Sequence, residues 1–259
     1  MITKQAIKDV RALILKKNRD ASHLFLAEGP KVVGDLLPLL RCKKLFATSE
    51  YLKNVPFTLL KQIGDVYEAK QQDLERMSLL QSPRNVIAMF EKPKETFDLT
   101  ALADLPTHSL CLALDDVQDP GNVGTIVRLA DWFGIEHIFA TPLTADVFAP
   151  KVVQSTMGAI GRIHIHYVDI VQLLTLLPNN VPIYGTFLEG SDIYHEKLLS
   201  SNGVIVMGNE GRGISEKVSS LVNSKLFIPP YPIGRETSES LNVAVATAIV
   251  CSEFRRRQI

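Results

Sequence analysis

The hydrophobic and polar positions of the first part of the chain predict helices and strands in alternation. Apolar residues Ile7, Val10, Leu13 and Ile14 recur at the spacing of one helical face. The pattern then predicts, in chain order, a strand at 24–27, a helix from Pro30, a strand at 44–47, a helix near 71–80 and a strand within 82–92. This order is typical of a small α/β domain, which we place at residues 1–95.

From residue 108 the alternation restarts with stronger apolar runs. Predicted strands cover 110–116, 137–141, 162–168, 181–187, 204–208 and 226–229, and predicted helices cover 122–134, 151–157, 169–177, 215–222 and the segment from about residue 240. Such an order favours a mostly parallel sheet with helices on both faces, here at residues 108–259. Residues 96–107 contain proline and lack clear periodicity, so they predict a linker.

Composition narrows the class of protein. Hydrophobic residues make up 46% and charged residues 22%, as in ordinary globular proteins. No uninterrupted apolar run reaches the roughly 18 residues of a membrane span, which favours a cytoplasmic protein without a membrane partner. Cysteines Cys42, Cys111 and Cys251 are odd in number, far apart and in apolar surroundings. They predict buried thiols, with neither a disulfide framework nor a metal site.

The charge is distributed unevenly although the total is zero. Residues 1–95 hold 17 Lys and Arg against 11 Asp and Glu, and residues 96–259 hold 11 against 17. A basic front half of this kind could contact phosphates. The alternative, from charge alone, is a solvated helix face.

Three loops at the ends of predicted strands, 115–124, 208–215 and 229–242, are rich in polar residues and glycine. Parallel sheets bind ligands at the carboxyl ends of their strands. In the first loop a proline-glycine pair predicts a turn, Asn122 a helix N-cap, and Arg128 follows within two turns. The alternative is an ordinary turn whose arginine pairs with an acid such as Asp116 or Asp131.

The second loop places three glycines around Asn209, Glu210 and Arg212. Glycine allows the backbone to approach a ligand closely. The spacing differs from the dinucleotide fingerprint G-x-G-x-x-G, and the phosphate motif G-x-x-x-x-G-K-[ST] does not occur, so NAD and ATP chemistry lack their usual motifs. The alternative is a tight strand-to-helix connection.

The third loop ends where an apolar helix is predicted to begin, near Ser240. Asn242 lies early in this helix, and an unpaired buried amide costs about 1–3 kcal/mol. We therefore expect Asn242 to have a partner in the neighbouring loops or in a ligand.

Taken together, "NVGTIVRLADWFG", "VIVMGNEGRGIS" and "IPPYPIGRETSESLNVAVATAIV" resemble, in order and spacing, the three motifs of the SpoU-type RNA 2'-O-ribose methyltransferases of the SPOUT superfamily. "APKVVQSTMGAIGRIHI" is similar to the family's segment between the first two motifs. The resemblance covers residues 110–255. The front domain is similar, more loosely, to the family's RNA-binding domain through "FLAEGPKVVGDLL" and "SPRNVIAMF".

The resemblance implies a C-terminal methyltransferase domain whose chain forms a deep trefoil knot, preceded by a small α/β RNA-binding domain. It also implies a homodimer with the active site near the interface, and S-adenosylmethionine bound in the knot. By resemblance the catalytic set is Asn122, Arg128, Glu210, Ser240 and Asn242. The cofactor-binding set is Met207, Gly208, Gly211, Ile228, Pro229 and Leu241.

The roles within the catalytic set follow partly from chemistry. The family mechanism often makes the first-motif arginine a base, but a guanidinium with a pKa above about 12 is a poor base. Arg128 is better suited to holding phosphate and ribose and to stabilising a developing alkoxide, while Glu210 orients Arg128 or Asn122. One departure from the family pattern is the four-residue segment 235–238 before Glu239, which predicts a slightly longer third loop.

Ribosomal RNA is the expected substrate, because a separate basic domain suits a bulky structured RNA better than transfer RNA. Three alternatives stay open: a transfer RNA ribose methyltransferase, a non-catalytic RNA-binding relative and a base-modifying enzyme of the same superfamily. His164 and His166 share a strand face, but without a third ligand they predict a structural role and no metal. Trp132 is expected in the core or at a dimer interface, and Arg255–Arg257 complement a helix C-terminus or contact RNA.

Overall fold

The computed structural model describes residues 2–80, 84–93, 98–196, 198–232 and 238–258. These residues form two compact units. Unit 1 lies within Met1–Lys94 and Asp146–Arg162, and unit 2 lies within Glu95–Ala145 and Ile163–Ile259. Each unit has its own sheet and its own hydrophobic core.

The helices, in chain order, are α1 (Lys4–Ala12), α2 (Lys16–Ser22), α3 (Pro30–Leu36), α4 (Ser49–Asn54), α5 (Phe57–Leu60), α6 (Gln71–Met77), α7 (Leu99–His108), α8 (Pro120–Trp132), α9 (Pro150–Thr156), α10 (Ile170–Thr175), α11 (Glu216–Ser219) and α12 (Val243–Arg256). The strands are β1 (Leu24–Glu28), β2 (Cys42–Ala47), β3 (Asp65–Glu68), β4 (Val86–Glu91), β5 (Leu110–Asp115), β6 (His137–Ala140), β7 (His164–Tyr167), β8 (Ile183–Asp192), β9 (Gly203–Gly208) and β10 (Ser224–Phe227). The sequence pattern predicts most of these elements and misses α2, α4, α5, α7 and β3.

The sheet of unit 1 has the strand order β1-β4-β2-β3. Strand β4 runs antiparallel to β1 and β2, and β3 pairs with β2 in parallel. Helix α1 is capped by Thr3, whose side chain accepts a hydrogen bond from the backbone N–H of Ala6. Its apolar stripe covers one face of the sheet, where Val10, Leu26 and Phe46 are buried in one cluster. The helix predicted from the amphipathic pattern of the opening segment is therefore confirmed.

Residues 146–162 complete unit 1 although they lie far along the chain. Helix α9 packs against β1, and the ring of Phe148 lies 5.1 Å from that of Phe25. The guanidinium of Arg19, a residue only 2% exposed, forms an ion pair of 2.5 Å with Asp146. Its Nη1 atom also donates to the carbonyl oxygens of Leu13 and Ile14, so the buried charge has an ionic partner and further hydrogen-bond acceptors.

The sheet of unit 2 has the strand order β10-β8-β9-β5-β6-β7, and every neighbouring pair is parallel. The predicted parallel sheet is confirmed. The chain leaves β5 toward β6 and β7 on one side, whereas β9, β8 and β10 lie on the other. The order therefore reverses between β5 and β9, and such a reversal opens a crevice at the carboxyl ends of the strands.

Helices α8 and α12 pack against each other in unit 2. Arg255 of α12 donates to the carbonyl oxygens of Phe133 and Gly134, just past the end of α8, at 2.6 and 2.9 Å. These carbonyls are unpaired within α8, so Arg255 caps it. Arg256 and Arg257 pair with Glu253, and Arg257 also donates to the carbonyl oxygen of Ile193. Each of the three terminal arginines thus has a structural partner.

The predicted domain boundaries differ from the observed units in two places. The segment 96–107, predicted as a linker, contains most of α7, which is capped by Asp98 and buries Leu102 in the core of unit 2. Residues 146–162, predicted within the second domain, belong to unit 1. Apolar spacing predicts a helix but not the sheet that the helix covers. That residues 1–95 form a separate RNA-binding domain stays a prediction.

Candidate functional site

The candidate site lies at the carboxyl ends of the two central strands of unit 2. Asp115 ends β5 and Gly208 ends β9, and the two are register partners. The first and second polar loops leave the sheet side by side from these positions. The third loop follows β10 at the same end, because the strands are parallel. The sheet thus assembles the three loops that the sequence singles out.

The first loop is held by Asp116 and Asp119. Asp116 has a positive φ of 59°. Its backbone N–H donates to the hydroxyl oxygen of Thr141, and that hydroxyl donates to the carboxylate of Asp116. The side chain of Asp119 caps α8 by accepting from the N–H of Asn122 at 2.8 Å. The prediction that Asn122 is the N-cap is therefore wrong. Asn122 lies one turn later, where its side chain is available for other partners.

Glu210, in the second loop, is bound to the first loop through three N–H groups. Its carboxylate accepts from the backbone N–H of Gln118 at 3.2 Å and of Asp119 at 3.1 Å, and from Nδ2 of Asn122 at 3.0 Å. Partial desolvation acts to raise the pKa of Glu210, but the hydrogen bonds from Asn122 and the backbone outweigh it, so the pKa lies below its usual value. Glu210 is therefore a carboxylate at neutral pH, and of the two partners predicted for it the structure shows Asn122.

Asn242 connects the third loop to the same group. Its Nδ2 donates to Oδ1 of Asn122 at 2.9 Å, and its own Oδ1 caps α12 by accepting from the N–H groups of Ala244 and Val245. The helix begins at Val243, so the start predicted near Ser240 is slightly early. Asn242 is exposed rather than buried, yet its amide has the partner in a neighbouring loop that was expected.

Asn209 is a positioning residue that the sequence reasoning missed. Its Nδ2 donates to the carbonyl oxygen of Asp116 at 2.7 Å, and its Oδ1 accepts from the N–H groups of Gly211 and Arg212. It also exchanges two backbone hydrogen bonds with Gly213. One side chain thus shapes the second loop and ties it to the first. An asparagine set between glycines, which readily closes such turns, was the available signal.

Two arginines belong to the same motifs as these residues: Arg128 follows Asn122 on α8, and Arg212 follows Glu210 in the second loop. Arg128 is exposed on α8 and makes no hydrogen bond or ion pair among the described residues. The carboxylate of Asp116, one of the acids considered for it, instead lies 3.4 Å from Arg212. Ser240 is exposed ahead of α12. The structure therefore joins Asn122, Glu210 and Asn242 directly, whereas the contacts of Arg128 and Ser240 with a substrate stay predictions.

The predicted cofactor residues fall into two groups. Met207 and Gly208 are buried at the end of β9, and a Cβ at Gly208 would lie 2.3 Å from backbone atoms of Gly213 and Ile214. Gly211, Ile228, Pro229 and Leu241 lie in the loops, where Leu241 is 48% exposed. The first group shapes the loop and the second offers surface to a ligand. The predicted lengthening of the third loop at 235–238 lies largely outside the described residues, which resume at 238.

The other residues considered from the sequence do not join the group formed by Asn122, Glu210 and Asn242. His137 and His166 lie 3.2 Å apart, and desolvation together with His137 and His164 lowers the pKa of His166 to about 4. Within the described part of the chain no group of three or more His, Cys, Asp or Glu could hold a metal ion. Trp132 is 83% exposed, which excludes the core position that was one of two expectations. No helix among the described residues could span a membrane.

Comparison with protein families gives two matches. The SpoU rRNA Methylase family matches residues 109–252, and the MRM3-like substrate binding domain matches residues 4–88. Among curated proteins, the 23S rRNA (guanosine(2553)-2'-O)-methyltransferase RlmP of Bacillus subtilis is 30% identical over 257 residues, which cover 97% of this chain and 96% of the relative.

Two solved structures resemble the whole chain. A TrmH-family protein of Porphyromonas gingivalis is 40% identical, with a TM-score of 0.86 and 99% of each chain covered. The AdoMet-bound rRNA methyltransferase of Sinorhizobium meliloti is 30% identical, with a TM-score of 0.86 and coverage of 100% of this chain and 97% of the other.

Proposed function

Because the chain belongs to the SpoU rRNA methylase family, we propose that it transfers a methyl group from S-adenosylmethionine to a ribose 2'-hydroxyl of ribosomal RNA. The observation that carries this proposal is the chain of hydrogen bonds from Glu210 through Asn122 to Asn242. It joins the three loops that carry the family motifs. A bacterial relative named as a 23S rRNA 2'-O-methyltransferase, and the AdoMet-bound structure of another, support the substrate and the cofactor.

The residues present fit the cofactor. A Cβ at Gly213 would meet nothing within 4 Å, and one at Gly211 only Oδ1 of Asn209 at 3.8 Å, so this loop offers open backbone to a ligand. Ile228, Pro229 and Leu241 add apolar surface. We assign these three, with Met207, Gly208 and Gly211, to cofactor binding. S-adenosylmethionine, when bound, supplies an activated methyl group together with its leaving group.

The protein's part in the reaction is alignment and charge stabilisation. Glu210 already accepts three hydrogen bonds, which makes it an orienting carboxylate for Asn122 rather than a base. The guanidinium of Arg128 would donate N–H groups to the ribose or phosphate, where they stabilise negative charge as the hydroxyl attacks. The hydroxyl proton passes to water or to a neighbouring acceptor. Asn242 and Ser240 position donor and acceptor groups beside the reacting atoms.

Ribosomal RNA is favoured over transfer RNA. The RlmP relative, which covers 97% of this chain, acts by its name on 23S rRNA. Residues 4–88 of unit 1 lie in the basic part of the sequence and match a family described as a substrate binding domain, which suits a large structured RNA.

Three further expectations accompany this function: a trefoil knot in unit 2, a homodimer and a cytoplasmic location. Trp132, the last residue of α8 and 83% exposed, and Val245, in the first turn of α12 and 50% exposed, leave apolar side chains available to a partner subunit, which supports the dimer. Sedimentation of the wild type should give twice the monomer mass, and Trp132→Glu should give a monomer. A monomeric wild type would contradict the dimer without affecting the assignment of the reaction.

The test is transfer of labelled methyl from S-adenosylmethionine to unmodified large-subunit ribosomal RNA and, separately, to transfer RNA, followed by alkaline hydrolysis. A methylated 2'-hydroxyl cannot attack its phosphate, so label in alkali-resistant dinucleotides from ribosomal RNA is expected. Asn122→Ala and Arg128→Ala should abolish it. Asn179→Ala is the matched control, because Asn179 is exposed in the loop before β8, at the opposite end of the parallel strands.

Each other outcome selects an alternative. Label in free nucleotides would mean that a base is methylated. Label in transfer RNA alone would change the substrate class. Binding of S-adenosylmethionine that cannot be detected would favour a non-catalytic RNA-binding relative.

A further inference from the structure

Unit 1 contains a surface cavity that the methyl-transfer site does not use. It has a volume of about 210 Å³ and lies between the first turns of α1 and the strands β2 and β3. Its walls include Thr3, Gln5, Asp9, Lys44 and Tyr67. Ligand pockets for drug-sized molecules usually exceed about 300 Å³, so this cavity suits a single planar ring rather than a larger ligand.

An aromatic wall is the first notable feature of this cavity. The rings of Tyr67 and Phe46 are stacked, 4.9 Å apart and inclined by 11°, and the two residues are register partners on β3 and β2. Phe46 is 1% exposed, whereas Tyr67, on the edge strand, is 38% exposed. Tyr67 is therefore held flat by a buried neighbour while part of its surface remains open to a stacking partner.

Polar groups of both kinds surround the ring. Gln5 donates to one oxygen of Asp9 at 2.6 Å, which fixes that carboxylate on the wall of the cavity. A carboxylate accepts hydrogen bonds from amino groups, and the ammonium of Lys44 donates to carbonyl oxygens. Two lysines of α1 lie next to these residues in the sequence: Lys4 precedes Gln5, and Lys8 precedes Asp9. Both lysines are exposed, one helical turn apart, and are available to bind phosphates.

We propose that this cavity binds one unpaired base of the RNA substrate, a cytosine or a guanine, stacked on Tyr67. Single-stranded RNA is recognised by stacking of splayed bases on aromatic side chains and by hydrogen bonds to their edges. Cytosine and guanine each carry an amino group for Asp9 and a carbonyl oxygen for Lys44, whereas uracil lacks the amino group and adenine lacks the carbonyl. The inference rests on the proposed function, because it takes RNA as the substrate.

The experiment measures binding of the full-length protein to short single-stranded oligo-cytidine and oligo-uridine, and methylation of unmodified large-subunit ribosomal RNA. The variants are Tyr67→Val, Tyr67→Phe and Asp9→Asn. Phe57→Val is the matched control, because Phe57 is another exposed aromatic residue of unit 1, at 69% exposure, away from the cavity. Circular dichroism and thermal unfolding of each variant establish that unit 1 remains folded.

We expect Tyr67→Val to weaken oligo-cytidine binding about 5- to 150-fold, the range for loss of one base–aromatic stack. Tyr67→Phe and Phe57→Val should bind as the wild type does. Asp9→Asn should reduce the preference for oligo-cytidine over oligo-uridine. In the methylation assay Tyr67→Val should raise the KM for RNA and leave kcat and the affinity for S-adenosylmethionine unchanged.

Two results would overturn the proposal: folded Tyr67→Val that binds RNA as the wild type does, or a wild type that binds oligo-uridine as tightly as oligo-cytidine. If the wild type methylates no RNA, the proposed function fails, while the oligonucleotide measurements still decide whether the cavity binds a base.

Discussion

Asn122 and Asn242 lie 120 positions apart in the chain and share a hydrogen bond of 2.9 Å. Its direction follows from Glu210, because a carboxylate only accepts hydrogen bonds. Nδ2 of Asn122 must face Glu210, so its Oδ1 faces Asn242, which must donate. The remaining oxygen of Asn242 is then left to cap α12. The ionised state of one glutamate thus fixes two amide orientations and the start of a helix.

Replacing Asn122 by aspartate tests this directional chain. Asn122→Asp would place two carboxylates in contact and remove the donor to Glu210. We expect kcat to fall about 100-fold or more, since misalignment of about 1 Å can cost that much. Single-turnover methyl transfer and isothermal titration with S-adenosylmethionine measure the two effects. Asn179→Asp is the control, and unchanged kcat in Asn122→Asp would remove Asn122 from the catalytic set.

Glu210 should contribute to stability in a pH-dependent way. Its folded-state pKa lies below the ordinary value, so its contribution is present above about pH 4.5 and is lost as the pH falls through the lower folded-state pKa. Because the residue is largely exposed, the contribution should stay under about 1 kcal/mol. Thermal unfolding should show Glu210→Gln less stable than the wild type at pH 7, with a smaller difference near pH 4. A difference that grows in acid would contradict the assignment.

The hydrogen bonds of the Asn209 side chain, which connect the second loop to the first, should increase the affinity for S-adenosylmethionine. Asn209→Ala removes the bonds to Asp116, Gly211 and Arg212, so the second loop loses its internal support. We expect the affinity for S-adenosylmethionine to fall about tenfold, which corresponds to about 1.4 kcal/mol. Isothermal titration measures the loss. Wild-type affinity in a folded Asn209→Ala protein would show that the loop holds its shape without this side chain.

Two glycines of the second loop should separate folding from binding. Gly208→Ala would bring a Cβ to 2.3 Å from backbone atoms of Gly213 and Ile214, and should destabilise the protein by about 1–3 kcal/mol. Gly211→Ala meets no atom closer than 3.8 Å and should fold normally. Denaturant unfolding and cofactor titration of both variants provide the comparison. Reduced affinity in the stable Gly211→Ala protein is expected from its assigned backbone contact, and full affinity would remove Gly211 from the cofactor set.

The sequence predicts the central strands of unit 2 well because β5 and β9 are buried at every position and read as short, nearly continuous apolar runs. It predicts fewer of the short elements of unit 1. Strand β3 is only four residues long, and its two apolar residues, Val66 and Tyr67, are adjacent, so it lacks the apolar-polar alternation of a half-buried strand. Helix α7 is missed because Pro106, a residue that normally ends or interrupts a helix, lies inside it.

The candidate site was predictable in membership more than in geometry. The motifs supply Asn122, Glu210 and Asn242, but spacing along the chain does not show that the three side chains meet. The mistaken cap had a local signal, because Asp119 precedes Pro120 and proline favours the first position of a helix. Asn209 could be placed only after the structure showed Asp116 within reach of its amide.

Unit 1 is formed by two separate stretches of the chain, and this affects how it can fold during synthesis on the ribosome. When residue 95 has been made, Arg19 still lacks Asp146 and β1 still lacks α9. A buried charge without its partner costs about 3–5 kcal/mol, so the nascent front segment should remain open to proteases until residue 162 has left the exit tunnel. Unit 1 begins to leave the ribosome first, but it cannot complete its fold until residues 95–145 of unit 2 have been translated.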